Sequence, residues 1–109
     1  MKIGVLRESD SNERRVALVP ETVERLVKAG HEILMENSAG LAAGFPDQAN
    51  ENAGAQTVPS VEVSKSVDIF VHVQPPTIDE IKALKIGCLI VSMFNARNDA
   101  SNMSILASA

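Results

Sequence analysis

Apolar positions along the chain come in short runs, and helix-like stretches separate them. Residues 3–6 are the first run and predict a strand, which leads into a polar segment over 7–15. Residues 16–19 are apolar again. Pro20 then opens a helix, because proline at the first helical position forfeits no hydrogen bond. Val23, Leu26 and Val27 stand at i, i+3 and i+4 on one stripe, and Gly30 ends the helix. Residues 33–35 predict a second strand, and 38–45, rich in Gly and Ala, a loop. Pro46 and Asp47 start a short helix through Asn52, which Gly54 closes. Residues 55–58 predict a short strand, and Pro59 with Ser60 begins another helix. Residues 69–73 are a clear strand, broken by Pro75 and Pro76. Thr77 and Glu80 have capping-box spacing, a hydroxyl at the cap and a carboxylate three residues on. Gly87 ends that helix and 88–94 form the last strand. Asn98 and Asp99 are placed to cap a final helix carrying Met103, Ile105 and Leu106.

Strands alternating with helices predict an α/β fold, a parallel sheet flanked by helices on both faces, Rossmann-like or flavodoxin-like. The runs at 69–73 and 89–93 are almost unbroken in their apolar character, which predicts adjacent central strands. The final helix would stop at Ala109 after barely three turns with no capping glycine, so the chain reads as cut before its fold is finished.

Composition narrows the class. Hydrophobic residues make up 45% of the 109 and charged residues 22%, ordinary for a globular fold. With three Phe and no Trp or Tyr, the core must come from Val, Ile, Leu, Ala and Met. The net charge of −4 without a Lys/Arg block gives no footprint for nucleic acid or anionic lipid. Cys88 is the only cysteine, so no internal disulfide can form; its apolar neighbours predict a buried strand thiol. No apolar run approaches the roughly 20 residues that span a bilayer, and the N-terminus enters a strand rather than a signal peptide.

In open parallel sheets, ligands bind beyond the carboxyl ends of the strands. The first strand delivers Arg7, Glu8 and the loop to Arg15. The strand at 69–73 delivers His72, Gln74 and the rigid Pro75-Pro76. The last delivers Phe94, Asn95 and Arg97. These groups are expected to converge on one crevice. Each also has a bland reading. Arg14 and Arg15 suit solvated charges or partners of Glu8 and Glu13, and Glu8, Asp10 and Glu13 suit a hydrated loop. His72 suits a buried, hydrogen-bonded imidazole, and Asn95 a turn cap. The sequence has no Gly-x-Gly-x-x-Gly after a strand, no phosphate loop, no zinc spacing and no nucleophile elbow.

The segments Met1-Lys2-Ile3-Gly4-Val5-Leu6-Arg7-Glu8 and Asn12-Glu13-Arg14-Arg15-Val16-Ala17-Leu18-Val19-Pro20 resemble the N-terminal signature shared by alanine dehydrogenases and NAD(P) transhydrogenase alpha subunits. The similarity continues in order through Gly30-His31, Ser38-Ala39-Gly40, Asn52-Ala53-Gly54-Ala55, the strand before Pro76, and 89–94. It implies a two-domain α/β protein of which this chain, 1–109, is the early segment of the N-terminal domain, with the nucleotide domain lying beyond it.

The resemblance implies further residue roles. Arg15 matches the arginine that holds the substrate carboxylate in alanine dehydrogenase. Gln74 stands where that enzyme has a lysine and Asn95 where it has a histidine. An amide has no useful proton equilibrium near neutral pH, so the pair points away from amino-acid deamination and toward transhydrogenase alpha. His72 stands where the family often has lysine. The resemblance further implies an NAD cofactor bound mainly by the absent domain and NADP on a partner domain. Membrane components would couple the reaction to proton movement. A homodimer is implied, cytoplasmic and peripheral to the inner membrane, without nucleic acid or direct membrane insertion. A divergent alanine dehydrogenase and a decayed, non-catalytic fragment remain alternatives. A phospho-receiver does not, because Asp68 begins its strand instead of ending it.

Overall fold

A computed structural model describes residues 1–9 and 12–92. The expectations placed on Asp10, Phe94, Asn95, Arg97 and the helix carrying Met103, Ile105 and Leu106 lie outside the described residues. Among the described residues five parallel strands form one sheet: β1 (Lys2–Val5), β2 (Glu32–Glu36), β3 (Gln56–Val58), β4 (Ile69–His72) and β5 (Leu89–Ser92), in the order β3-β2-β1-β4-β5. Four helices, α1 (Pro20–Lys28), α2 (Asp47–Asn52), α3 (Ser60–Ser66) and α4 (Ile78–Ala83), join them.

The local signals act as their chemistry requires. Pro20 is the first residue of α1 and Gly30, at φ 98°, ends its last turn. The stripe from Val23 to Val27 faces the sheet, with Val23 fully buried, a placement worth about 1.5–3 kcal/mol for such a side chain. At α4, Thr77 Oγ1 accepts from Glu80 N and Glu80 Oε1 accepts from Thr77 N, so the capping box is closed in both directions. Residues 38–45 carry more structure than a plain loop: Leu41–Ala43 make a 3₁₀ turn that Gly44 ends at φ 90°.

Alternation across the strands sends side chains to two separate layers. Ile3, Val5, Ile33 and Met35 pack with Val23 and the irregular segment Val16, Ala17 and Leu18. Leu34 and Phe70, on the opposite face, pack with Leu6, with Val63 of α3 and with Val67, which follows that helix. Helices therefore cover both faces of a parallel sheet, as the pattern predicts.

One expectation is corrected. β4 and β5 are adjacent and parallel, paired Ile69 to Leu89 and Val71 to Val91, but among the described residues β5 is an edge strand. The central strand is β1. Leu89 is 58% exposed and Val91 45%. An apolar run reports that a strand's faces suit burial; it does not report the strand's place in the order. Cys88 precedes β5 instead of lying within it, half-buried against the second layer. Burial pushes its thiol up, which suits an inert cysteine. Asp68 does stand at the start of β4. Its carboxylate accepts from Lys2 N and from Lys85 Nζ, far from the ligand-binding end of the sheet. Among the described residues no helix is long and apolar enough to cross a membrane.

Candidate crevice at the carboxyl end of the sheet

The loop after β1 runs across the carboxyl ends of β2 and β4, and two carboxylates in it set the geometry. Glu8 is the first. Its Oε2 accepts from Val73 N and its Oε1 from Gln74 N, both at 2.9 Å. Its side chain is only 4% exposed. The same peptide segment is gripped from the other side by β5: Ser92 Oγ donates to Val73 O at 3.3 Å and to Gln74 O at 3.2 Å. The exit of β4 is thus fixed by its amide protons and its carbonyls at once. Next to Glu8 in the chain, Arg7 N donates to Glu36 Oε1 at 2.8 Å, tying the loop to the end of β2.

Glu13 is the second carboxylate. Arg15 reaches it with Nε, Nη2 and its backbone N–H, at 2.8, 2.9 and 2.9 Å. Gln74 Nε2 donates to Glu13 Oε1 at 2.6 Å. The hydrogen bonds from Arg15 and then Gln74 lower the Glu13 carboxyl from its ordinary 4.5 to about 2. Arg15 is raised in turn, chiefly by its hydrogen bond to Glu13. Because the folded carboxyl is the more acidic one, this junction is fully formed above about pH 4.5 and is lost as pH falls toward 2. A carboxyl-carbon NMR titration is expected to give Glu13 a midpoint near 2, well separated from a solvated glutamate. A midpoint above about 4, in the range of an unperturbed glutamate, would show that the junction does not form.

The structure joins Arg15 and Gln74 through Glu13, and sends His72 elsewhere. The His72 side chain is fully buried on the α3–α4 face, with its ring centroid 5.1 Å from that of Phe70. Nδ1 lies 2.9 Å from Glu8 Oε2 and Nε2 lies 3.6 Å from Glu80 Oε2, although neither nitrogen meets hydrogen-bond geometry. His72 does not enter the Arg15–Gln74 crevice. The hydrated-loop reading of Glu8 and Glu13 is overturned, since their side chains are only 4% and 6% exposed. The signal that marks them is their partner set, backbone amides and an amide side chain more than sixty residues away, which no local spacing displays.

Two cavities flank Arg7 and Glu8. One of about 500 Å³ lies toward α3 and α4 and is acidic, with Glu36, Asp79 and Glu80 on its walls. The other, about 290 Å³, is bounded by Glu13, Arg15, Ser38 and Leu41. Among the described residues no group of three or more His, Cys, Asp or Glu is placed to hold a metal ion.

The match to known proteins covers almost the whole chain. Residues 4–109 match the family described as alanine dehydrogenase/PNT, N-terminal domain. The NAD(P) transhydrogenase subunit alpha of Haemophilus influenzae is 45% identical over 92 residues, which is 84% of this chain and 18% of that protein. An alanine dehydrogenase of Staphylococcus epidermidis is 36% identical over 99 residues, 91% of this chain and 27% of the relative. Among solved structures, a transhydrogenase from Sinorhizobium meliloti superposes with a TM-score of 0.86 at 29% identity, covering 98% of this chain and 33% of that one. An L-alanine dehydrogenase gives 0.79 at 39% identity, covering 84% and 26%. The chain therefore spans a third or less of the length of these relatives. With the family match over residues 4–109 and the fold in agreement, the chain belongs to the alanine dehydrogenase/PNT N-terminal domain family.

Proposed function

We propose that this chain is the early, scaffold-forming segment of the NAD(H)-binding component of a proton-translocating NAD(P) transhydrogenase, in which hydride passes between NAD(H) and NADP(H). Gln74 carries the reading. Its amide stands at the exit of β4 and is spent on Glu13. An amide neither takes nor returns a proton near neutral pH. Oxidative deamination needs a group that does both, whereas direct exchange between two nicotinamides asks the protein for orientation and exclusion of water. Identities of 45% and 39% to two transhydrogenase alpha subunits support the same direction.

The described residues do not by themselves fit a dinucleotide. A pyrophosphate is held where a glycine turn leads from a strand straight into a helix N-terminus. Here β1 ends at Val5 and α1 starts at Pro20, with no glycine between them and one helical N–H removed by the proline. In this reading the nucleotide domain lies in the rest of the alpha subunit, and this segment forms one wall of the cleft. Partners are the NADP-binding and membrane components and a second copy in a homodimer, on the cytoplasmic side of the inner membrane. The exposed row of Leu89 and Val91 suits such contacts.

The test is made on a full-length protein carrying this segment. NADH-dependent reduction of NADP is expected. Alanine-dependent reduction of NAD is expected to be absent unless Gln74→Lys and Asn95→His are introduced together. Sustained alanine oxidation by the unsubstituted protein would overturn the assignment of Gln74 and with it the transhydrogenase reading.

A further inference from the structure

We propose that the acidic cavity beside α3 and α4 is a binding site for a linear organic diammonium, a small polyamine. Its walls carry four carboxylates, Glu8, Glu36, Asp79 and Glu80, against one cationic residue among the described ones, Arg7. The negative charge comes from separate elements: Glu8 from the loop after β1, Glu36 from the end of β2, Asp79 and Glu80 from the first turn of α4. Three of the four are held in place by backbone donors. Glu8 accepts from Val73 N and Gln74 N, and Glu36 Oε1 and Glu80 Oε1 accept from Arg7 N and Thr77 N, each at 2.8 Å. The Asp79 side chain has no partner among the described residues and is free to close on a ligand.

Ser64 points to a ligand independently of the charges. It lines this cavity from α3 and is only 5% exposed. A serine inside a helix often returns its hydroxyl to the carbonyl one turn back. Ser64 makes no side-chain hydrogen bond among the described residues, so a buried hydroxyl is left to the cavity. A hydroxyl offers two lone pairs, and an ammonium offers three donors and no acceptor, so the two match. The spread of the carboxylates decides between kinds of cation. Among the described residues no group of three or more His, Cys, Asp or Glu is placed to hold a metal ion. A compact divalent ion draws several oxygens to about 2.0–2.6 Å, which these walls do not offer. Two ammonium groups at the ends of an aliphatic chain meet dispersed carboxylates in two places, and Leu6 and Ala83 give the methylenes an apolar stretch of wall. The volume of about 500 Å³ admits such a molecule. The site uses no group of the Arg15–Glu13–Gln74 junction, so it stands or falls apart from the transhydrogenase reading.

The experiment titrates the 109-residue chain with 1,4-diaminobutane at neutral pH and constant ionic strength, and follows the backbone amide resonances. Saturable shifts are expected at Glu36, Ser64 and Asp79. None is expected at Glu21 and Glu24 on the exposed face of α1, where ordinary surface carboxylates report diffuse screening. Magnesium chloride and the singly charged 1-aminobutane are each expected to bind at least about tenfold more weakly than the diamine. Asp79→Asn and Ser64→Ala are each expected to weaken the diamine at least about threefold. Arg7→Gln removes the competing cation from the wall and is expected to tighten it by a similar factor. Equal shifts on α1, or equal affinity for magnesium, would leave only a diffusely charged surface and overturn the proposal. So would a diamine affinity that Asp79→Asn and Ser64→Ala leave unchanged. Should Ser64→Ala disturb the fold, Asp79→Asn and Arg7→Gln decide, because both side chains are exposed and their effects are required to have opposite signs.

Discussion

Gly4→Ala is expected to destabilise the chain by about 1–3 kcal/mol, as overpacking of a filled core does. Gly4 lies in the middle of the central strand, at an ordinary strand conformation that alanine adopts freely. What it lacks is room. A Cβ at this position would stand 2.6 Å from Val67 Cγ1, 2.8 Å from Val63 Cγ1 and 2.9 Å from Val67 Cγ2. Both valines belong to the contact between α3 and the sheet and both are fully buried. Their β-branched side chains are stiff at χ1, so relief requires α3 itself to move off β1. Replacing glycine removes some freedom from the unfolded chain, a gain of about 0.4–1 kcal/mol, which is too small to offset the clash. For a domain near this size, a loss of about 2 kcal/mol lowers Tm by roughly 10 °C. The cause is checked by a double-mutant cycle with Val67→Ala. If the clash is the mechanism, the two substitutions couple favourably by at least about 1 kcal/mol. Strict additivity, or a Gly4→Ala chain as stable as its parent, would show that α3 does not approach β1 this closely.

That glycine shows where the sequence is readable and where it is not. Signals carried by neighbours a few residues apart are legible. Pro20, the stripe from Val23 to Val27 and Gly30 bound α1. Thr77 and Glu80 close their capping box as their spacing requires. The alternation of strands and helices gives the parallel sheet. Gly4 belongs to a different class. Its reason is the approach of residues 63 and 67, and nothing within β1 announces it. The edge position of β5 is of the same kind. Leu89, Ile90 and Val91 are as apolar as β4, but pairing order is decided by which strand edges meet, and β4 rather than β5 lies against β1.

The crevice divides along the same line. That Arg15 and Gln74 end near each other accords with the rule for carboxyl ends of parallel strands. The pairing of Arg15 with Glu13 is one that the loop's charges suggest; that Gln74 closes on the same carboxylate from more than sixty residues away is shown only by the three-dimensional partner set. His72 is separated from them by strand alternation: Phe70 and His72 share the face toward α3, whereas Gln74 lies past the strand, where the alternation ends. The consequence for chemistry is that the candidate residues form two groups. One is Arg15 and Glu13, on the wall of the smaller cavity, with Gln74 bonded to Glu13. The other is Glu8 and Glu80, which also line cavity walls, with the fully buried His72 between them. Glu8 alone touches both, through His72 Nδ1 and through the amide proton of Gln74.

Glu8→Ala is therefore expected to have the largest effect of any single substitution in the crevice, a loss of about 2–6 kcal/mol, the range for leaving two buried donors without an acceptor. Two backbone amides, Val73 N and Gln74 N, would lose their acceptor in a part-buried setting, and each orphaned donor costs about 1–3 kcal/mol. The carboxylate 2.9 Å from the fully buried His72 is removed as well. Against a total stability of about 5–15 kcal/mol for a domain, such a loss leaves a measurable unfolded fraction. Glu8→Gln preserves size but presents an NH₂ group to one of the two amide protons, so donor meets donor. It is expected to recover less than half of the loss. Urea unfolding gives the magnitude, and amide hydrogen exchange gives the place. Protection at Val73 and Gln74 should fall before the global transition, while protection at Leu34 and Met35 in β2 tracks global stability. A Glu8→Ala chain within about 1 kcal/mol of its parent, below the cost of even one orphaned donor, would mean that water replaces the carboxylate at the exit of β4. The first loop would then not be what holds Gln74 in the crevice.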